Sequence, residues 1–240
     1  MKTSTKLLFV VGFFAFTFLN KAEAQFDVGA DFVSRYLWRG QLLATGPAIQ
    51  PYVSFTPEID TAGTFGLEIG AWGSYGLSSG FDGTEADLYL TLTAGPIGFT
   101  FTDYFFPSDQ TLVDTKDNYF TYGPNEETGH IFEGMLSFNG VDKFPLSASV
   151  GYNFRGADLD KSVFVDFAYP VGEVELGLSL GNGFYTHEDE GDSDSFNVVN
   201  ISVGYSKEIE LSQKFSLPIF GKVAVNPDLE KFYIVFGISF

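Results

Sequence analysis

The sequence contains no cysteine among its 240 residues, which excludes disulfide bonds, thiol chemistry and a lipid anchor carried by an N-terminal cysteine. Basic residues are also scarce, because 13 Lys and Arg stand against 31 Asp and Glu, for a formal net charge of −18. A chain this acidic is poorly suited to bind nucleic acid. The same charge is compatible with cations, including divalent ions shared between acidic loops and anionic lipopolysaccharide.

Apolar runs long enough for a membrane helix are also absent, since such a helix needs about 20 apolar residues. The run at residues 7–19 is too short, and it is preceded by two lysines and followed by Ala-Glu-Ala at residues 22–24. This pattern predicts a secretory signal peptide of residues 1–24, cut before Gln25, and a single β domain of residues 25–240. If that domain enters a membrane, only a closed β-barrel satisfies its backbone hydrogen bonds there.

Aromatic residues and glycine are abundant instead, with 28 Phe, 12 Tyr and 27 Gly. Such a composition fits strands that turn aromatic side chains toward lipid and small ones toward a lumen. The last stretch, Glu230 to Phe240, shows this best, because strongly apolar residues alternate with small or mixed ones at period two. We interpret it as the closing strand of a transmembrane β-barrel in a bacterial outer membrane; an edge strand of a soluble β-sandwich is the alternative. Its residues Phe236, Ile238 and Phe240 resemble the signal by which the barrel-assembly machinery selects its clients.

Similar alternation along the chain predicts twelve strands, an even number as bacterial barrels require. Connections after even-numbered strands are short, and those after odd-numbered strands are often longer and acidic, as in barrels whose long loops face outside. The turn at residues 207–213 is longer than this rule predicts. The predicted fold class is all-β: a closed antiparallel transmembrane β-barrel of about 12 strands, with the N- and C-termini in the periplasm.

The first predicted strand, Gln25 to Trp38, contains the most distinctive string in the chain, DFVSRYLWRG. Alternation places Tyr36 and Trp38 on its apolar, outward face. The pattern Asp-x-x-Ser-x-Tyr-x-x-Arg-Gly within the string resembles the opening strand of the TorF-type porins, a family of short outer-membrane proteins. The resemblance implies a barrel that can contain a pore, and it supplies no substrate. The matching residues are Asp31, Ser34, Tyr36, Arg39 and Gly40, and residues 47–55, 66–75 and 85–90 continue the likeness.

Charged residues on the inner faces of the predicted strands are candidates for the lining of a pore. Their charges would set ion or solute selectivity, or they would pair with one another and merely satisfy a small lumen. The candidates are Asp27, Asp31, Arg35, Arg39, Glu68, Asp87, Glu133, Arg155, Asp166, Glu175 and Lys222. One further acidic residue, Asp103, falls on the outward face, which a bulge near Thr102 or arrival at the membrane interface would explain.

Metal binding and catalysis have little support. The run HEDEGDSD at residues 187–194 holds five carboxylates, so a calcium site is conceivable. Its spacing does not match an EF-hand loop, and acidic runs are usually just solvated. His130 and His187 are the only histidines, and neither lies in a nucleophile motif. We therefore predict no metal site, no cofactor and no catalytic residues.

The predicted function is passive diffusion of small hydrophilic solutes or ions through an outer-membrane channel, with a preference for cations. The main alternative is a non-conducting barrel with a structural, adhesive or surface-binding role, working through external loops such as residues 107–129. A barrel hydrolase that uses His187 is a weaker alternative. The expected partners are outer-membrane lipid and lipopolysaccharide, the barrel-assembly machinery, and small solutes or ions.

Overall fold

The computed structural model describes residues 24–59, 64–78, 83–107, 118–123, 128–187, 195–213 and 215–240. Residues 1–23 of the predicted signal peptide lie outside this part of the chain. So do the predicted turn at residues 60–63, most of the acidic run at residues 187–194, and much of the loop at residues 107–129. Within the described part, no helix is long and apolar enough to cross a membrane.

Fourteen β-strands occur in the described residues. Their bounds are β1 (Ala24–Val33), β2 (Tyr36–Trp38), β3 (Gln41–Ala44), β4 (Ala48–Pro57), β5 (Phe65–Gly76), β6 (Glu85–Ala94), β7 (Ile97–Phe105), β8 (His130–Phe138), β9 (Ser147–Gly156), β10 (Val163–Val171), β11 (Val174–Gly181), β12 (Asn197–Ser212), β13 (Phe215–Asn226) and β14 (Lys231–Ser239). Twelve of these strands form one closed antiparallel barrel, whereas β2 and β3 form a separate hairpin.

The barrel closes between its first and last wall strands. β14 pairs antiparallel with β1, with Phe32 opposite Ile238 in the register. Ala30 and Phe240 exchange two backbone hydrogen bonds, of 3.2 and 3.0 Å. The predicted all-β fold, a closed antiparallel barrel of twelve strands, is therefore confirmed.

Alternation sorts the side chains of each wall strand between the outer surface and the lumen. On β14, Phe232, Ile234 and Phe236 are 62%, 54% and 66% exposed, whereas the intervening Tyr233 and Val235 are each 7% exposed. The apolar face predicted for the closing strand is thus the outer face of the barrel.

The connection between β12 and β13 corrects one prediction. Residues 207–213 do not form a long turn, because β12 continues to Ser212, which lies opposite Phe215 in the register. Ile209 and Leu211 keep the outward alternation in this extension, with exposures of 39% and 59%. The connection at the end of the barrel that holds both termini is therefore short here as well.

The first predicted strand is shorter than its sequence pattern indicates. β1 ends at Val33, and the chain bends at residues 34–35 before it forms the β2–β3 hairpin. The hairpin turns at Arg39 and Gly40, whose φ angles of 49° and 80° match the two-residue type I′ turn that suits a right-twisted hairpin. Tyr36 and Trp38, predicted to face outward, therefore do not belong to the barrel wall.

Candidate functional site: a hairpin inside the lumen

The β2–β3 hairpin lies inside the barrel, where it contacts walls on several sides. Its Tyr36 and Ala44 are buried in a cluster with Val33 and Ala48, against which Trp72 and Phe220 pack. These wall residues belong to β1, β4, β5 and β13, which form one side of the lumen. The hairpin is thus a luminal element that continues from the end of β1.

Arg39, at the tip of the hairpin, is joined to the opposite wall by a bidentate ion pair. Its Nη1 and Nη2 atoms lie 2.5 and 2.9 Å from the carboxylate oxygens of Glu133 on β8. The two side chains are only 7% and 0% exposed. Paired, parallel hydrogen bonds of this kind are among the strongest that a guanidinium makes. The pair therefore fixes the hairpin across the width of the barrel.

Aromatic side chains complete the environment of the Arg39 guanidinium. Its Cζ atom lies 4.6 Å from the centre of the Trp38 ring and 4.5 Å from that of Phe164, within the range of cation–π attraction. The guanidinium also donates a 2.6 Å hydrogen bond, from Nη1, to the Tyr185 hydroxyl. Burial alone would lower the pKa of Arg39, but the surrounding Tyr and Glu133 groups raise it well above its ordinary value. The tip of the hairpin therefore carries a full positive charge.

A second segment folds into the lumen at the end of the barrel opposite the termini, where it contacts the hairpin. After β11, residues Gly183–Tyr185 form a 3-10 turn, and Tyr185 is completely buried. The Gln41 side chain donates a 2.6 Å hydrogen bond to the Phe184 carbonyl. Asn226, at the end of β13, donates a 3.0 Å bond to the Gly40 carbonyl. Both faces of the turn at the hairpin tip are therefore held by polar contacts.

The lumen is filled at the level of the hairpin. Every one of the twelve wall strands contributes an inward side chain that is 8% exposed or less. These side chains are Val33, Gln50, Ser74, Glu85, Tyr104, Glu133, Asn153, Phe164, Ser179, Asn200, Asn226 and Tyr233. None of these twelve side chains is open to water, so the hairpin fills the lumen at this level.

Inner-wall residues between this layer and the termini are more accessible. A polar cavity of about 160 Å³ lies directly beneath the hairpin tip, lined in part by Asp166 of β10 and Lys222 of β13. Asp166 accepts a 2.5 Å hydrogen bond from the Ser179 hydroxyl. Farther toward the termini, Asp27 and Glu175 are exposed on the inner wall. This half of the lumen is a blind vestibule that ends at the hairpin.

The structure distributes the candidate pore-lining residues among four places. Arg39 belongs to the hairpin tip, and Arg35 lies in the bend after β1. Arg155 lies on the outer face. The inner wall carries Asp27, Asp31, Glu68, Asp87, Glu133, Asp166, Glu175 and Lys222, opposite or between inward-facing residues of neighbouring strands.

The predicted inward position of Arg155 is wrong, and a register shift explains why. The register between β8 and β9 shifts after Phe132, so that Arg155 pairs with Phe132 instead of continuing the inward alternation. Residues directly opposite each other in a pair of strands point to the same side. Phe132 packs beside the exposed Phe101 and Phe154 rings of the outer surface. Arg155 is therefore outside the lumen, where its Nη2 donates a 3.3 Å bond to the Tyr122 carbonyl.

Asp103 is accommodated on the outer wall by a covering segment. The pairing of β7 with β6 and β8 shows no register shift, so the bulge suggested by the sequence does not occur. The Asp103 carboxylate lies 2.6 Å from Nδ1 of the fully buried His130. Nε2 of His130 lies 2.7 Å from the Tyr119 carbonyl, and the Tyr122 ring lies over the imidazole at 4.4 Å. The described residues 118–123 therefore cover the acidic side chain.

Replacement of His130 tests this outer-wall contact. Both imidazole nitrogens face acceptors, and removing them leaves Asp103 buried without a partner, at a cost of about 1–3 kcal/mol. We expect His130→Ala to release residues 118–123 and make them several-fold more sensitive to limited proteolysis. His187→Ala, at the other histidine, is the matched control. Equal cleavage of the two variants would contradict the assigned role of His130.

Several residues of the luminal layer escaped sequence analysis. Tyr104, Asn153, Tyr185 and Asn226 are neutral, and nothing in their local sequence separates them from ordinary strand residues. The signal that could have revealed the hairpin is Arg39-Gly40, flanked by the short strand-like runs YLW and QLLA. Three of the five residues that match the TorF-type pattern, Tyr36, Arg39 and Gly40, belong to the hairpin.

Comparison with known proteins does not identify a function for this arrangement of residues. No family model matches the chain, and no curated protein sequence is significantly similar to it. The described residues contain no group of three or more His, Cys, Asp or Glu side chains arranged to hold a metal ion. The function must therefore be argued from the barrel, its surface and its filled lumen.

Proposed function

We propose that this protein is a bacterial outer-membrane β-barrel of the TorF type, in which the β2–β3 hairpin controls the passage of small hydrophilic solutes or ions. The observation that carries the proposal is a closed barrel whose lumen is blocked by one element joined to the opposite wall through Arg39 and Glu133. The protein is then a channel that is closed at rest, a state that the sequence-based prediction of passive diffusion did not specify. It is not an enzyme in this proposal.

The outer surface supports a membrane location. Large apolar side chains are exposed on all twelve wall strands, whereas soluble monomers rarely expose a continuous apolar patch of more than a few hundred Å². One example from each wall strand is Phe26, Val53, Ile69, Leu88, Phe99, Leu136, Val150, Tyr169, Leu176, Val203, Val223 and Ile234. We infer a lipid-facing belt, with outer-membrane lipid and lipopolysaccharide as partners and both termini in the periplasm after cleavage of the signal peptide.

The exposed closing strand supports recognition by the barrel-assembly machinery. Phe236 and Phe240 are 66% and 68% exposed on the outer face, beside Ile238. The accessible vestibule supports a preference for cations, because Asp27, Glu68 and Glu175 line it with only Lys222 as a counter-charge among the candidate residues. The overall acidity argues against nucleic acid as a partner.

A pair of substitutions on β5 tests the membrane location. Ile69 is 48% exposed on the outer face, and Glu68 next to it faces the lumen. We expect Ile69→Arg to destabilise the barrel in lipid vesicles by about 2–4 kcal/mol, because a charge near the bilayer midplane is costly. Glu68→Arg should cost much less. Urea unfolding of both variants provides the measurement, and equal small losses would instead support a soluble barrel.

Planar-bilayer recording tests the channel itself. Folded wild-type protein should conduct rarely, in discrete steps, and the reversal potential under a salt gradient should favour cations. The protein must first show heat-modifiable migration on a detergent gel, so that silence cannot be due to misfolding. A large, steady conductance would contradict closure by the hairpin.

The second candidate function is a non-conducting barrel that works through its surface. It is favoured by the depth of the Arg39–Glu133 pair, which would then be a permanent structural plug. In that case loss of loop residues 107–129 should abolish partner or cell-surface binding and leave assembly intact. The substitution of Arg39 discussed below separates the two candidates.

A further inference from the structure

Four buried polar atoms beside the hairpin lack a hydrogen-bond partner. They are Gln50 Nε2, Ser74 Oγ, Glu85 Oε1 and Asp87 Oδ1. The residues are 7%, 0%, 1% and 7% exposed. Buried polar groups without partners are costly and rare in native proteins. Four such atoms in one neighbourhood form a polar pocket that a bound ion, a water molecule or a shared proton can satisfy.

The four residues lie side by side on the inner wall. Ser74 of β5 lies directly opposite Glu85 of β6, and Asp87 follows two positions later on the same face, opposite Trp72. The Glu85 and Asp87 carboxyl groups are within hydrogen-bonding reach of each other. Gln50 of β4 extends the group across the next strand, because Ile49 pairs with Tyr75.

The orientation of one side chain, Gln50, decides how many oxygen atoms this cluster presents. A half-turn of the Gln50 amide about its last side-chain torsion turns the amide oxygen into the cluster in place of Nε2. The cluster then offers two carboxylates, one hydroxyl and one amide oxygen. Oxygen atoms of these types are the ligands of hard divalent cations such as Ca²⁺ and Mg²⁺.

A cation would also balance the charge of the two carboxylates. Glu85 accepts a 2.7 Å hydrogen bond from the Tyr36 hydroxyl, and Asp87 accepts one from the Phe105 backbone. Burial and the neighbouring Glu85 raise the pKa of Tyr36, so its hydroxyl remains a neutral donor. The buried cation of the layer, Arg39, is neutralised by Glu133. Among the described residues, neither Glu85 nor Asp87 has an ion-pair partner of its own, and a buried charge is stable only when it is paired.

We propose that Gln50, Ser74, Glu85 and Asp87 form a binding site for one divalent cation, with water completing its coordination. The cation neutralises the two carboxylates and links β4, β5 and β6 to the hairpin through the Glu85–Tyr36 hydrogen bond. It thereby stabilises the hairpin in the lumen. The site is independent of whether the barrel conducts, and its test requires no measurement of transport.

Terbium luminescence gives a direct test, because Tb³⁺ replaces Ca²⁺ at oxygen sites and is excited through a nearby tryptophan. Trp72 lies opposite Asp87, so metal-free, detergent-folded protein should show Tb³⁺ emission on excitation of tryptophan. Trp72→Phe should remove that emission, which separates this site from ions bound at acidic loops. Added Ca²⁺ should compete with Tb³⁺ in the wild-type protein.

Isosteric variants assign the ligands. Asp87→Asn and Glu85→Gln should each weaken Tb³⁺ and Ca²⁺ binding by about tenfold or more, since removing one ligand charge strongly lowers cation affinity. Glu68→Gln, on the same wall nearer the termini, is the matched control and should bind normally. Emission that persists in Asp87→Asn, or that is absent from the wild-type protein, overturns the proposal. In the second case a protonated-carboxyl infrared band lost in Asp87→Asn would identify a shared proton as the neutralising group.

Discussion

Arg39→Ala is expected to convert a barrel that is closed at rest into one that conducts most of the time. The substitution leaves Glu133 buried without its partner, and breaking a buried ion pair in this way costs about 3–5 kcal/mol. It also removes the stacking of the guanidinium against Trp38 and Phe164. Release of the hairpin relieves this cost, because the Glu133 carboxylate then becomes hydrated.

The other contacts of the hairpin, which include the apolar cluster around Tyr36 and Ala44, still favour the docked position and oppose this release. The hydrogen bonds from Gln41 to Phe184, from Tyr36 to Glu85 and from Asn226 to Gly40 each contribute about 0.5–1.5 kcal/mol, or more where a charge takes part. Since about 1.4 kcal/mol is a factor of ten, we expect the ratio of released to docked hairpin to rise by about a hundredfold or more.

Single-channel recording of Arg39→Ala against the wild-type protein measures this shift as the fraction of time spent open. Arg155→Ala is the matched control, because it removes an arginine from the outer wall and leaves the lumen unchanged. A second variant, with residues 36–44 replaced by a short Gly-Ser linker, tests the same point without relying on one side chain. If both luminal variants fold and remain silent, the lumen is not a solute path, and the non-conducting alternative is correct.

The wall of the barrel could be predicted because the residue pattern of each strand reflects the environments of its two faces. One face of β14 meets the outside and the other meets the lumen, so the period of two is present in the residues themselves. The closing pair, β1 with β14, joins strands at opposite ends of the chain, and the even strand number is the one that antiparallel closure needs. Predictions of this kind need only local pattern and the rule that a sheet in hydrocarbon must close.

The luminal layer could not be predicted because its determinants are distant in the sequence. Tyr36 and Trp38 continue the alternation of β1, so a longer wall strand fitted the residues equally well. The hairpin is held in the lumen instead by Glu133, which lies 94 positions from Arg39 in the sequence, and by Tyr185, which lies 146 positions away. Arg155 was misplaced for a related reason: the register shift beside Phe132 has no signature in the sequence of β9.

Gly40→Ala should be the most damaging single-methyl change in the hairpin. Gly40 has a φ of +80°, and a Cβ atom there would lie 2.0 Å from the Val199 carbonyl oxygen, which is backbone and cannot move aside cheaply. A side chain in the left-handed region costs about 1–2 kcal/mol by itself. The collision with Val199 adds to that cost only when the hairpin is docked.

Gly172→Ala separates the two contributions. Gly172 also has a positive φ, of +65°, but a Cβ atom there would meet nothing within 4 Å. Its substitution therefore carries the conformational cost alone. We expect Gly40→Ala to lose about 1–3 kcal/mol more than Gly172→Ala in urea unfolding, as for other overpacked sites. We also expect it to expose the segment between Tyr36 and Ala44 to proteolysis from solution. Equal losses in the two variants would mean that the turn of the hairpin does not rest against Val199, and the docked arrangement on which closure depends would be wrong.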